Sequence, residues 1–413
     1  MKVAIIIADS NSACPVPAVN GGAVATVVEH LVEQNHLDRK LDMTVYSYYD
    51  TFACEKAKDY NNVHFVWIKI PKIIKEVDKF IFWVITHFFK KKKAISFKSI
   101  ASLMTYVFCT AKKLKNSEYD ALVLENNMVI SWILRLYGNG IRYKGKCFYH
   151  LHNIPRINAK NSKVFDEKMS YICVSDYVRK QITKNSNPIG PVNEKQIHIL
   201  KNCIDIAIYR QNVSDDILDQ YRRKYSLGEK DRVVIFTGRL TKEKGVDQVV
   251  RAMELVRTPN VKLLVVGSTL ISGVVQDEFM QNMRKLTDDK KDRIIFTGYV
   301  NQKEMPSLYR LADIAVLPSM WEEPAGLTMI EAMACGTPVI TTNAGGIPEY
   351  TTKGASILLE REENLYIDIA KNIDYLLENE SVRKRVAEKG QEFVITHNSM
   401  ESYLKNFLEI IGG

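Results

Sequence analysis

The chain has 413 residues, 46% hydrophobic and 25% charged, with a formal net charge of +9. That length is too great for one hydrophobic core and suits two α/β domains, and no stretch is biased enough in composition to stay unfolded. Seven cysteines stand singly at 14, 54, 109, 147, 173, 203 and 335 with no Cys-x-x-Cys pair, which argues against a disulfide framework or a zinc site and for a reducing compartment.

After Lys2, an apolar run to Ala8 ends at Asp9. It is too short for the core of a signal peptide and reads as a first buried strand. A loop from Ala13 to Gly21-Gly22 then leads into a helical pattern over Val24–Leu31. Glycines opening a helix let backbone approach a phosphate, although a plain tight turn has the same look and the G-x-G-x-x-G spacing of a dehydrogenase is missing. Strands follow at Thr44–Ser47 and Val63–Ile68.

Residues 69–93 combine eight lysines with Ile70, Ile73, Ile74, Phe80, Phe82, Trp83, Phe88 and Phe89. Two readings stand: a face lying on an anionic membrane surface, or core-facing aromatics with solvated lysines outside. The longest apolar run, Phe80–Phe89, is only half the roughly 20 residues that span a bilayer. No recognition motif accompanies the positive charge, so nucleic acid is not an expected partner.

Further strands fall at Ala121–Leu124, Lys146–Tyr149 and Tyr171–Val174, the second leading into His150 and His152. Residues 185–230 carry Pro188, Gly190 and Pro191, then a charged helix over Asp215–Tyr225. A tighter series of strands begins at Val233–Thr237 and continues at Lys262–Val266, Arg293–Thr297, Asp313–Leu317 and Pro338–Thr341. Strands alternating with helices imply parallel βαβ units, whose ligand loops follow the strands. The expected division is 1–205 and 206–393, with an amphipathic last helix, Ser399–Ile411, in a segment from 394 that returns to the first half.

Two strand-end loops in the second half carry chemistry. Gly238-Arg239-Leu240-Thr241-Lys242-Glu243-Lys244-Gly245 sets two cations, Arg239 and Lys244, between glycines before a helix, as a diphosphate site requires, or else forms a solvated charged loop. Pro318 to Gly336 is more specific: a loop with Glu323 runs into a helix from about Ala325 that carries Glu331. The carboxylates can accept from sugar hydroxyls, and the free N–H groups of Ala325, Gly326, Leu327 and Thr328 can hold phosphate oxygens. The competing account makes Glu323 a helix-start acid and Glu331 a solvated side chain.

The Glu323-x7-Glu331 pattern within Pro-Ser-x-Trp-Glu-Glu-Pro-Ala-Gly-Leu, with Gly21-Gly22, Gly238-Arg239 and Lys244, resembles family 4 of the retaining GT-B glycosyltransferases, in the form found in bacterial surface, capsular or spore-coat polysaccharide assembly. The resemblance is strongest over residues 232–350. It implies an α/β fold of two Rossmann-like domains facing each other across a cleft. It also implies that Arg239 and Lys244 bind a donor diphosphate, Glu331 the ribose, Glu323 the sugar, and Gly22 a phosphate. His152, beside Asn153, fits the family's histidine position better than His150, and Gly267 and Val300 match segments lining the base pocket. Where many relatives carry a second glycine, this chain has Ser268-Thr269.

No Asp-x-Asp manganese signature occurs. The function expected from the resemblance is retaining, metal-independent and cofactor-free transfer of a hexose-type sugar from a UDP-sugar donor to a saccharide or lipid-linked saccharide acceptor. The reaction is expected in the cytoplasm, at the inner face of the membrane, in surface polysaccharide synthesis. A sugar-nucleotide epimerase or hydrolase, or a non-catalytic nucleotide-sugar-binding pseudo-enzyme, are the alternatives.

Overall fold

A computed structural model of the chain describes residues 1–8, 14–19, 21–88, 98–159, 169–267, 278–288 and 292–413. These fall into two compact units, one of Met1–Asn202 with Tyr403–Gly413, the other of Cys203–Ser402. Each is built on one sheet with every strand pair parallel, as the alternation of short β-branched runs and amphipathic segments demands.

In the first unit, β1 (Lys2–Ile7), β2 (Asp42–Tyr48), β3 (Val63–Ile68), β4 (Ala121–Glu125), β5 (Cys147–Leu151), β6 (Met169–Cys173) and β7 (Ile197–Ile199) lie in the order β3-β2-β1-β4-β5-β6-β7. Val3 pairs with Met43 on one side and Ala121 on the other, so β1 sits inside the sheet and its residues from Val3 to Ile7 are buried. The order reverses between β1 and β4, and the crevice beyond the carboxyl ends there is where open parallel sheets bind ligands.

The second unit repeats the plan with β8 (Arg232–Thr237), β9 (Val261–Val266), β10 (Ile294–Gly298), β11 (Ile314–Leu317), β12 (Val339–Thr342) and β13 (Ile357–Leu359), ordered β10-β9-β8-β11-β12-β13. Val233 and Ile235 pack into one apolar layer, Val234 and Phe236 into the other. That alternation explains why the run reads as continuously hydrophobic: both faces are covered by helices. Here the switch point lies between β8 and β11.

Strands β7 and β13 have no counterpart in the sequence-based expectations. Each is a three-residue edge strand, too short to display a period. The helix Glu380–His397 stays on the second sheet's side, with Val394 in that core and Gln391 Nε2 donating to Ala334 O at 2.9 Å. The following helix, Met400–Gly412, carries the chain into the first unit from Tyr403, where Tyr403, Leu404 and Phe407 are buried. All seven thiols are free.

Candidate active site

Three glycines draw together the carboxyl ends of the strands on one side of the second sheet. Gly238, after β8, has φ 146°, and its N–H donates to Val266 O at 3.1 Å. Gly267, after β9, has φ 143° and donates to Gly298 O, also at 3.1 Å. A Cβ on Gly267 would stand 1.9 Å from Gly238 O, so only glycine permits the approach. Ser268 and Thr269, the departure from the family pattern, lie outside the described residues. Val300 is half-buried against the core, while Tyr299 before it is 76% exposed.

The cationic loop is fastened to the acidic one. Gly245 adopts φ 70°, and a Cβ there would stand 2.0 Å from Pro318 O; Met320 N donates to Glu243 O at 2.8 Å. These contacts bring Lys244 Nζ onto Glu323 Oε1, both side chains largely buried. The Glu323 carbonyl in turn accepts from Gly346 N at 2.7 Å. Arg239 is exposed, and among the described residues no ion pair engages it. The solvated-loop reading thus fits Arg239 and fails for Lys244.

The helix after Glu323 runs from Leu327 to Ala334, two residues later than expected, with Gly326 as its N-cap. Of the four N–H groups proposed as phosphate donors, only those of Leu327 and Thr328 are therefore helical. No backbone carbonyl among the described residues accepts from Ala325, Gly326, Leu327 or Thr328. Free donors at a helix start attract anions.

Glu331 is not the solvated side chain of the alternative reading. Tyr309 OH lies 3.3 Å from its Oε2 and 2.8 Å from Thr237 Oγ1 at the end of β8, and the Tyr209 hydroxyl also acts on the carboxyl. Burial raises the carboxyl from its ordinary 4.5 to about 7, against the opposing pull of the Tyr209 and Tyr309 hydroxyls. Both tyrosines escaped the sequence reading because neither sits in a strand-end loop.

In the first unit, Gly21 and Gly22, with φ 74° and 109°, open the helix Ala23–Asp38 without a side-chain cap. A Cβ on Gly22 would meet Cys14 Sγ at 3.0 Å. Across the switch point, Glu125 ends β4 and reaches His150 Nδ1 at 3.0 Å and His152 Nε2 at 3.0 Å. Glu125, at 2% exposure, is driven upward in pKa by burial, but the two imidazoles outweigh this and hold it at about 2. Burial, then His150, lowers His152 to about 4 against the pull of Glu125. At neutral pH the group is one carboxylate with a neutral His152.

A cavity of about 200 Å³ opens beside it, lined in part by Ala8, Val24, Glu125, Asn126, Asn153 and Arg156. Glu125 was missed from sequence, although it stands at a strand's carboxyl end, where ligand loops begin.

Residues 72–88 of the lysine-aromatic segment form one helix with two apolar faces. Ile73, Val77, Phe80 and Trp83 are exposed, at 70, 38, 65 and 48%, while Ile74 and Phe82 are half-buried. Buried Asp78 holds the helix down by accepting from Ala101 N at 2.7 Å. Neither sequence reading is complete: part of the apolar set faces inward and part faces out. Residues 89–93 lie outside the described residues. No described helix is long and apolar enough to cross a membrane.

Comparison with known proteins bears on the family and the fold. Residues 218–393 match the family model of the glycosyl transferases group 1. Over 99% of both chains the protein is 24% identical to spore coat protein SA of Bacillus subtilis. It is 26% identical to the lipopolysaccharide 1,2-N-acetylglucosaminetransferase of Salmonella typhimurium over 72% of this chain and 74% of that one. Anabaena Alr3699/HepE, solved with UDP-glucose, superposes with a TM-score of 0.72 at 17% identity, covering 100% of this chain and 99% of that one. The chain is a glycosyltransferase of the GT-B fold, and its residues 218–393 form a glycosyl transferases group 1 domain.

Proposed function

We propose that the protein transfers a hexose-type sugar from a UDP-sugar to a saccharide or lipid-linked saccharide in surface polysaccharide synthesis, with retention at the anomeric carbon and without a metal. The observation that carries this is the Lys244–Glu323 ion pair, which joins the diphosphate loop to the sugar loop. An arriving diphosphate competes for Lys244, and release of Glu323 leaves a carboxylate for sugar hydroxyls. The Anabaena protein solved with UDP-glucose supports the choice of nucleotide.

In the transfer, the bond from the anomeric carbon to the diphosphate oxygen breaks, the acceptor oxygen bonds on the same face, and its proton passes to the departing phosphate. Arg239, Lys244 and the N–H groups of Leu327 and Thr328 balance the charge growing on that phosphate, the task a metal performs elsewhere. Glu331 takes the ribose hydroxyls, Gly267 and Val300 border the base, Gly21 and Gly22 leave room for phosphate, and His152 orients the sugar or acceptor. The exposed stripe Ile73, Val77, Phe80 and Trp83, flanked by Lys72, Lys75 and Lys79, favours contact with an anionic membrane carrying the acceptor.

The test is a thermal-shift screen of nucleotide-sugars in EDTA, then mass spectrometry of products formed with lipid-linked acceptors. A shift with UDP-sugars and an acceptor lengthened by one hexose is expected. Donor turnover independent of acceptor would instead favour a hydrolase, and binding without turnover a pseudo-enzyme.

A further inference from the structure

Glu125 accepts from two histidines: its Oε1 from His150 Nδ1 at 3.3 Å and its Oε2 from His152 Nε2 at 3.0 Å. An ionised carboxylate only accepts hydrogen bonds, so each of those nitrogens carries a proton. With His152 neutral, its proton therefore sits on Nε2, and Nδ1 is left with a lone pair.

The surroundings leave the ring little freedom. The two imidazole centroids stand 4.0 Å apart. Asn126, in the left-handed conformation at φ 55°, turns its Oδ1 to accept the His152 N–H at 3.2 Å. Asn126 N donates to His150 O at 2.8 Å, and Asn127 Nδ2 to Ala8 O at 2.8 Å. A non-glycine residue in the left-handed region costs free energy and persists only where its neighbours impose it. Here Glu125-Asn126-Asn127 forms a clamp whose outer side faces the cavity beyond the switch point.

We propose that Glu125 is the positioning residue of the transfer site: it fixes His152 as the Nε2–H tautomer and thereby presents Nδ1 as an acceptor to a hydroxyl of donor or acceptor sugar, with His150 as the second donor that holds the carboxylate in place. The role rests on the reading of His152 as a group of the transfer site. The buried negative charge behind the ring polarises the imidazole and strengthens Nδ1 as an acceptor. The same three side chains bring ligand atoms within 4.8 Å of one another, the spacing of a metal site, but both imidazole contacts are already complete as hydrogen bonds.

The full-length protein, labelled with 15N at histidine and assigned with His150→Gln and His152→Gln, tests this without any substrate. At pH 7 His152 is expected as the neutral Nε2–H tautomer and His150 with its proton on Nδ1. His152 protonated on Nδ1, or as an imidazolium, overturns the proposal. So does one equivalent of co-purifying zinc whose removal changes both ring signals.

Kinetics give the second arm, with UDP-glucose or the sugar nucleotide that replaces it in the donor screen. Glu125→Gln should lower kcat about 10- to 100-fold, as loss of an outer-shell orienting group does, with little change in KM. Glu125→Asp, which keeps the charge, should recover part of it. Loss of activity in His152→Ala with none in Glu125→Gln overturns the positioning role alone. Full kcat in His152→Ala overturns that role together with the reading on which it rests.

Discussion

Replacing Glu331 by Gln should stabilise the free protein and weaken its hold on the nucleotide. Burial lifts this carboxyl from 4.5 to about 7, so the folded chain binds the proton more tightly than the unfolded one. Stability from this group is then fully present below pH 4.5 and is lost as pH rises to about 7. At about 1.4 kcal/mol per unit, ionised Glu331 costs the free protein up to about 3 kcal/mol above pH 7. Glutamine carries no charge, and its carbonyl can still accept from Tyr309, 3.3 Å from Oε2 in the native chain. At roughly 2–4 °C per kcal/mol, the melting point of Glu331→Gln should exceed wild type by up to about 10 °C at pH 8, with no gain near pH 4.5. UDP binding should weaken about fivefold, because a hydrogen bond to a charged acceptor is worth about 1 kcal/mol more than one to a neutral acceptor. Scanning fluorimetry at both pH values, with and without UDP, reads both effects. A variant no more stable than wild type at pH 8 would refute the burial argument, and an undiminished UDP shift would refute the ribose assignment.

Lys244→Ala and Glu323→Gln should each lower kcat with the donor by about 100-fold or more, the scale of losing one charge-stabilising group. The double variant should lose less than the product of the two, since the side chains form one pair; unchanged turnover at saturating donor in either single variant would remove that residue from the site. Gly267→Ala should cost about 3 kcal/mol or more, seen as a lower urea midpoint, because its Cβ would stand 1.9 Å from Gly238 O at a φ that side chains avoid. Phe80→Ala with Trp83→Ala should change stability by no more than about 0.5 kcal/mol per site, given their exposure, yet reduce flotation with anionic vesicles; equal flotation of variant and wild type would end the membrane assignment.

The parallel α/β plan was legible because it is written in local pattern. Runs such as Val233–Thr237 are apolar throughout, as strands covered on both faces must be, and glycines such as 238, 245 and 267 mark the loops that end or follow them. The edge strands Ile197–Ile199 and Ile357–Leu359 were not legible, since three residues establish no period. The helix Lys72–Phe88 stayed ambiguous because its composition serves an inward and an outward face at once.

The sequence by itself determined which residue types stand at the strand ends: Arg239, Lys244, Glu323 and Glu331 are visible as spacing within two short segments. Only the tertiary structure decided what those groups do to one another. Lys244 and Glu323 are 79 positions apart and meet because the loops after β8 and β11 leave neighbouring strands. Glu125 faces His150 and His152 because β4 and β5 pair in one parallel register. Glu331 owes its raised pKa to burial, which outweighs the opposing hydroxyls of tyrosines from two other helices. Charge state depends on burial and on partners brought together by folding, and neither is a property of neighbouring residues along the chain.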